Sequence, residues 1–349
     1  MRILHANDLD RGGAGAETHL LGLALRQREA GHEVEVFGAE QPLPSPRASA
    51  TWWSDREAER LRIAIRAFRP DVVHFHNAAF LSPAALETAR ACCDRVVMTL
   101  HDYRHEPDPL LEGQRRPPLW RALPNRLKRA WVRRHVRRCC TALVAPSRDL
   151  AERTRAWAGD VPVVHAPYAM APADAVTDPK PDAPFLFLGR LVPDKGLRTL
   201  VRALAMCHRP RIVEIAGDGP LRDELLPRKN LLLLGEVDRD EVPFLLGRCR
   251  ALIQPSEWLE NQPLAVLEAQ AHARAVIATT AGGLPEIVVD GASGLTVPPF
   301  DPGALAAALD RLADDEALCA RLGRAGRARL AHDHRPAVCD ARLAEAYLV

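Results

Sequence analysis

The chain has 349 residues, 47% of them hydrophobic and 26% charged, with a formal net charge of +2 at pH 7. That length accommodates two domains of ordinary size, each with a full apolar core. The near-balanced charge excludes a dedicated nucleic-acid binder, which carries a marked basic excess, and no apolar run approaches the roughly 18–20 residues of a membrane span.

From the N-terminus, short β-branched runs predict strands at 3–6, 34–37, 72–75, 96–100, 143–145 and 161–165. Helical patterns separate them, such as 17–30, ended by Gly31, and 56–68, ended before Pro70. From the opening strand, no secretory signal is expected. Eight cysteines without a C-x-x-C unit read as buried, reduced thiols. Both points set the expectation of a cytoplasmic protein.

Between 113 and 148 the chain is rich in arginine and has no acidic residue. Leu123, Leu127, Ala130, Trp131 and His135 recur there at helical spacing. A basic amphipathic helix over 125–138 is expected, open either to solvent or to an anionic membrane face. The proline-rich, aperiodic stretch 166–183 reads as an interdomain linker. Alternation then restarts with strands at 185–188, 212–216, 231–234, 251–254, 276–279 and 295–297, and helices at 196–207, 241–248 and 263–273. Three helices are expected over 302–349.

This order predicts an α/β protein of two tandem, doubly wound parallel sheets facing each other across a cleft, with ligands at the carboxyl ends of the strands. The expected domains are 1–165 and 184–330, followed by a final segment 331–349 that the family resemblance given below implies returns to the first domain.

Candidate chemistry sits on the strand-to-helix turns. Gly189 to Gly196 carries Arg190 and Lys195 where a helix begins, a setting suited to phosphate. Lys195 is one of only four lysines among 47 basic residues, so its position reads as a specific requirement. Glu268 lies in an apolar helical run, where a carboxylate needs a partner, and Glu260 precedes that helix. Pro263 suits the first helical position, which leaves Asn261 and Gln262 at the helix entrance. As a pair, the two glutamates fit either acid/base hydrolysis or a grip on ligand hydroxyls. Gly282 and Gly283 permit close backbone approach to a ligand, as a simple tight turn also would. Gly217 and Asp218 form a similar loop suited to a base pocket.

In the first half, Gly12 and Gly13 lie between strand and helix but lack the third glycine of a dinucleotide fingerprint. His101 ends a strand and can meet a sugar hydroxyl. His74 and His76, without carboxylate company, are poor metal ligands. The D-x-D strings at Asp8 and Asp238 are discounted as cation sites, in keeping with the lack of metal and cofactor that the family resemblance given below implies.

Taken together, G-R-L-x-x-D-K-G, A-G-D-G-P-L, P-S-E-W-x-E-N-x-P-L-x-V-x-E-A and G-G-L-P-E-I-V-x-D-G-x-S-G-L resemble the retaining GT-B glycosyltransferases of family GT4. G-G-A-G-A-E-T and T-L-H-D-Y near the N-terminus fit the same pattern. The resemblance implies a metal-independent enzyme that moves a sugar from a nucleotide-diphosphate sugar, UDP-linked first and GDP-linked next, to a saccharide, lipid-linked or small-molecule hydroxyl. It implies that Arg190 and Lys195 hold the diphosphate, that Glu268 binds ribose, and that Glu260 and His101 face the donor sugar. Gly12 and Gly13 would border the acceptor, and Val237 and Leu264 would join the donor pocket. Asn261-Gln262 departs from the Gly-Phe of many relatives. A nucleotide-sugar epimerase, a non-catalytic nucleotide-sugar binder and an NAD-dependent enzyme are the alternatives.

Overall fold

A computed structural model of the chain describes residues 1–8, 15–38, 54–76, 82–106 and 119–349. The chain divides into two compact units, one reaching to Tyr168 and taking in Ala337–Val349, the other formed by Ala169–Pro336. Gly12 and Gly13 lie outside the described residues.

The first unit contains β1 (Arg2–Asn7), α1 (Gly15–Glu29), β2 (Glu33–Gly38), α2 (Asp55–Phe68), β3 (Val72–Phe75), α3 (Ser82–Cys92), β4 (Val96–Thr99), α4 (Leu119–Cys139), β5 (Ala142–Ala145), α5 (Arg148–Ala158) and β6 (Val163–His165). Its strands are all parallel, in the order β2-β1-β3-β4-β5-β6. Every residue of β3, β4 and β5 is buried, as expected when crossover helices cover both faces of a parallel sheet. Helix ends follow local chemistry. The Ser54 hydroxyl accepts from the Glu57 N–H at the start of α2, and Arg69 closes that helix in the left-handed region just before Pro70.

The second unit contains β7 (Phe185–Leu188), α6 (Leu197–Met206), β8 (Val213–Ala216), α7 (Arg222–Leu225), β9 (Leu231–Gly235), α8 (Val242–Arg248), β10 (Ala251–Gln254), α9 (Leu264–Ala271), β11 (Ala275–Thr279), α10 (Leu284–Ile287), β12 (Leu295–Val297), α11 (Pro302–Asp314) and α12 (Glu316–Asp333). Its parallel order is β12-β11-β10-β7-β8-β9. Counted within the unit, this is the Rossmann arrangement, and the winding reverses between β7 and β10. Ligands of open α/β sheets bind at such a reversal, beyond the carboxyl ends of the strands.

Two arginines are almost wholly buried here. Arg250 donates from Nε and Nη2 to the Leu312 carbonyl at 2.9 and 2.7 Å, satisfying the last turn of α11. Arg274 donates to the Gly247 carbonyl at 3.1 Å and to Thr177, fastening the proline-rich stretch to the end of α8.

The final helix, α13 (Pro336–Tyr347), belongs largely to the first unit. Arg26 of α1 grips Asp340 with two hydrogen bonds of 2.8 and 3.0 Å, and Tyr347 is buried.

The basic helix α4 is longer than the predicted 125–138. Its apolar stripe does not share one environment: Leu127 is 61% exposed, whereas His135, Val136 and Cys139 are buried. Among the described residues, no helix is long and apolar enough to cross a membrane.

Candidate active site

The loops that follow β7, β8 and β10 interlock at the carboxyl edge of the second sheet. The Gly189 N–H donates to the Ala216 carbonyl at 2.9 Å, and the Leu191 N–H to the Asp218 carbonyl at 2.8 Å. Gly217 has φ +138, and a Cβ there would lie 2.0 Å from the Gly189 carbonyl oxygen, so only glycine allows these two loops to touch. Buried Leu191 anchors the first loop, which then makes a 3-10 turn over Pro193–Lys195 and enters α6 through Gly196. Gly196 sits at φ +71, and a Cβ there would lie 1.8 Å from the Pro255 carbonyl oxygen. That contact brings the β7 turn against the β10 loop.

The result is a pair that local sequence does not specify. Lys195 Nζ lies 2.6 Å from Glu260 Oε1. The Ser256 hydroxyl and the Gln254 amide donate to the same oxygen at 2.6 and 3.2 Å. Burial would raise the Glu260 carboxyl, but Lys195, Ser256 and Gln254 outweigh it and hold the group below the usual carboxylate range. The Glu260 backbone is pinned as well, forming a bridge with Gly282 and accepting from the Gly283 N–H at 2.7 Å. The Gly283 N–H therefore braces the glutamate loop.

Glu268 is placed differently. Pro263 is the cap before α9, with ψ 122, and not its first helical residue, so Glu268 is the fifth residue of the helix, little more than one turn in. Its side chain is buried, and Oε1 accepts from Arg239 Nη2. Oε2 is buried with no hydrogen-bond partner among the described residues. Burial raises the Glu268 carboxyl above its ordinary value, with Arg239 opposing that shift. A buried acceptor oxygen of this kind is costly unless a donor meets it.

Of the other expected residues, Asn261, Gln262 and Leu264 are buried. Val237 is half-buried in the loop after β9. Arg190 and Asp218 are exposed. Asp218 faces Arg222 at 3.6 Å, and no carboxylate of the described residues pairs with Arg190. The discounted string 238–240 does start a 3-10 turn, in which the Asp238 N–H donates to Glu241 Oε2 at 3.1 Å. Arg239, inside that string, is the partner of Glu268 and was missed. So were Gln254 and Ser256, whose only sequence signal is their place at the end of a buried strand.

His101 lies in the first unit, where β4 ends. It is half-buried, with Nε2 3.1 Å from His76 Nδ1 and Nδ1 2.5 Å from the Tyr168 hydroxyl. Desolvation lowers it to about 4, with Asp102 opposing and Arg104 adding to the shift. Its neighbours form a buried cluster that the sequence reading did not assemble. The ring nitrogens of His5, His74 and His76 approach within 4.8 Å of one another, a spacing that could hold a metal ion. All six of those nitrogens already have hydrogen-bond partners at 2.7 to 3.1 Å.

Comparison with known proteins places the chain in a family. Residues 13–169 match the family described as Glycosyltransferase Family 4, and residues 174–329 match Glycosyl transferases group 1. Glycogen synthase of Mycobacterium tuberculosis is 29% identical over 300 residues, covering 81% of this chain and 70% of that protein. Sucrose-phosphate synthase from Thermosynechococcus elongatus shares the fold with a TM-score of 0.79 at 18% identity, covering 99% of this chain and 98% of that one. A structure of Anabaena HepE in complex with UDP-glucose gives a TM-score of 0.74 at 19% identity, with coverage of 99% and 98%. Two doubly wound parallel sheets and consecutive family matches over both halves lead to one conclusion: the chain belongs to the group 1 glycosyltransferases of family 4, with the GT-B fold.

Proposed function

We propose that the protein is a retaining, metal-independent glycosyltransferase that moves a sugar from a nucleotide-diphosphate sugar, a UDP-sugar first, to a hydroxyl acceptor. The observation that carries this reading is the Lys195–Glu260 pair at 2.6 Å, beside the reversal between β7 and β10. A cation and a carboxylate held together there suit the diphosphate and the hydroxyls of one donor. The structural likeness to HepE in complex with UDP-glucose supports the choice of donor class.

In this reading Lys195 and Arg190 receive the charge that develops on the departing diphosphate, and the positive end of α6 begins two residues after Lys195. Glu268 accepts from the ribose diol through Oε2, the oxygen that Arg239 leaves unengaged. Glu260, kept ionised by its neighbours, accepts from hydroxyls of the transferred sugar. His101 of the first unit is assigned to the same sugar. The acceptor hydroxyl attacks from the face that the diphosphate leaves, which retains configuration without a covalent enzyme intermediate.

The reading extends to location, at the cytoplasmic face of an anionic membrane. Its support is α4, where Arg126, Arg134, Arg137 and Arg138 are exposed alongside Leu127. The decisive test of function is a screen of purified protein against UDP-, GDP-, ADP- and dTDP-sugars. Binding and slow hydrolysis of UDP-sugars are expected. Binding of none of them would refute the donor assignment, and an isomerised nucleotide sugar made without acceptor would point to an epimerase instead.

A further inference from the structure

A continuous hydrogen-bonded chain crosses the first unit. Thr99 Oγ1 is 2.7 Å from His74 Nε2, and His74 Nδ1 is 2.8 Å from the Tyr347 hydroxyl. That hydroxyl lies 3.0 Å from Gln27 Nε2, and Gln27 Oε1 is 2.7 Å from His5 Nε2. His5 Nδ1 is 2.9 Å from His76 Nε2, and His76 Nδ1 is 3.1 Å from His101 Nε2. His101 Nδ1 is in turn 2.5 Å from the Tyr168 hydroxyl. His5, His74 and His76 have no exposed surface, and Gln27 and Tyr347 are buried.

Buried hydrogen bonds need one donor and one acceptor each. The histidines are kept neutral: burial lowers His5 to about 4 and takes His74 and His76 well below their ordinary value. A neutral imidazole donates from one nitrogen and accepts at the other, so fixing one ring fixes the next. Imidazoles and hydroxyls can reverse direction by moving a proton. The Gln27 amide cannot, because its oxygen only accepts and its nitrogen only donates. With Oε1 toward His5, the assignment closes without a mismatch. His5 donates from Nε2, His76 donates from Nε2 to His5, and His101 donates from Nε2 to His76 and accepts from Tyr168. On the other side Gln27 donates to Tyr347, Tyr347 to His74, and His74 to Thr99. Turning the amide over reverses every bond and moves the His101 proton to Nδ1.

We propose that Gln27 is a positioning residue for the transfer reaction: its amide sets the direction of this chain and so places the His101 proton on Nε2. This rests on the assignment of His101 to the transferred sugar. Tautomer matters at such a place, because an imidazole with its proton on the wrong nitrogen fails even when its position is intact.

The test is the ¹⁵N ring spectrum of histidine in the full chain, with the His101 signals identified by their loss in His101→Gln. In the wild-type protein His101 should show a protonated Nε2 and a bare Nδ1. Gln27→Leu removes the element that sets direction, so His101 should become a mixture of both tautomers. Gln27→Glu accepts from His5 just as the native amide does, so His101 should stay protonated on Nε2. A wild-type proton on Nδ1, or Gln27→Leu spectra identical to wild type, would overturn the proposal. If Gln27→Leu fails to fold, Gln27→Glu decides alone, and a His101 proton on Nδ1 in that variant is the refuting result. For the reaction, Gln27→Leu should lower kcat for UDP release from UDP-glucose at least about tenfold while UDP affinity stays within about twofold. A shifted tautomer with undiminished turnover would leave the chain's direction established and refute instead the assignment of His101 to the sugar.

Discussion

Lys195 Nζ and Glu260 Oε1 stand 2.6 Å apart although 65 positions separate them in the chain. Neither residue is held by the other alone. Gly196 locks the lysine turn against Pro255, and Ser256 and Gln254 fix the carboxylate from below. The pair is thus built by the strand ends, with β7 and β10 as neighbours.

Lys195→Ala should weaken UDP binding by about ten- to a hundredfold, since a charge-assisted contact to phosphate is lost. Titration calorimetry with UDP measures it directly. An unchanged affinity would remove Lys195 from the phosphate site. The same variant leaves Glu260 without its cation, so its carboxyl should titrate higher than in the wild type.

The two glutamates should respond to pH with opposite sign. Glu260 is depressed, so its contribution to stability is present above about 4.5 and is lost as pH falls through its folded value. Glu268 is raised, so its contribution is complete below about 4.5 and is lost as pH rises through its folded value. Urea denaturation across pH 3–7 of Glu260→Gln and Glu268→Gln, each against wild type, should show difference curves sloping in opposite directions. Parallel slopes would contradict the environments described.

Ribose binding at Glu268 favours the ionised carboxylate, so nucleotide binding in the window just above pH 4.5 should release a proton from that group. Calorimetry of UDP binding at pH 5, in two buffers of different ionisation enthalpy, should detect the release in wild type and less of it in Glu268→Gln. UDP affinity of Glu268→Ala should fall by about ten- to a hundredfold, as for other hydrogen bonds to a charged partner. Affinity equal to wild type would exclude the ribose role.

Gly196→Ala should destabilise the protein by roughly 3 kcal/mol or more, because the new methyl meets the Pro255 backbone 1.8 Å away and not a side chain that can turn aside. Chemical denaturation reports it. Gly291 has a similar φ of +66, but a Cβ there would meet nothing within 4 Å, so Gly291→Ala should cost only about 1 kcal/mol. Equal losses at both positions would mean that backbone conformation, not the close approach, sets the cost at Gly196.

Sedimentation with vesicles containing phosphatidylglycerol should carry the protein down at low salt, and neutral vesicles should not. Leu127→Ser combined with Arg134→Glu, both on the exposed side of α4, should abolish the effect. Recovery with neutral vesicles, or indifference to the two substitutions, would refute membrane contact through this helix.

Twelve strands, their alternation with helices, and the loops that carry chemistry are all legible in the residue pattern alone. Those features are local: burial on both faces makes β-branched runs, and helix caps and glycines mark the ends. The same pattern places Arg190, Lys195 and Glu260 in the turns that follow strands, and Glu268 in the helix beyond. Their partners follow from how the chain packs. Strand order puts β10 beside β7, and that adjacency, absent from any local period, makes a salt bridge of Lys195 and Glu260. Arg239 reaches Glu268 because the β9 loop comes over α9, and nothing in its own D-R-D context signals that. The histidines show the contrast most clearly. His5 and His74 face each other on neighbouring strands, His76 and His101 lie just past strand ends, and the four join one hydrogen-bonded chain only when the strands pack and the last helix brings Tyr347 to Gln27.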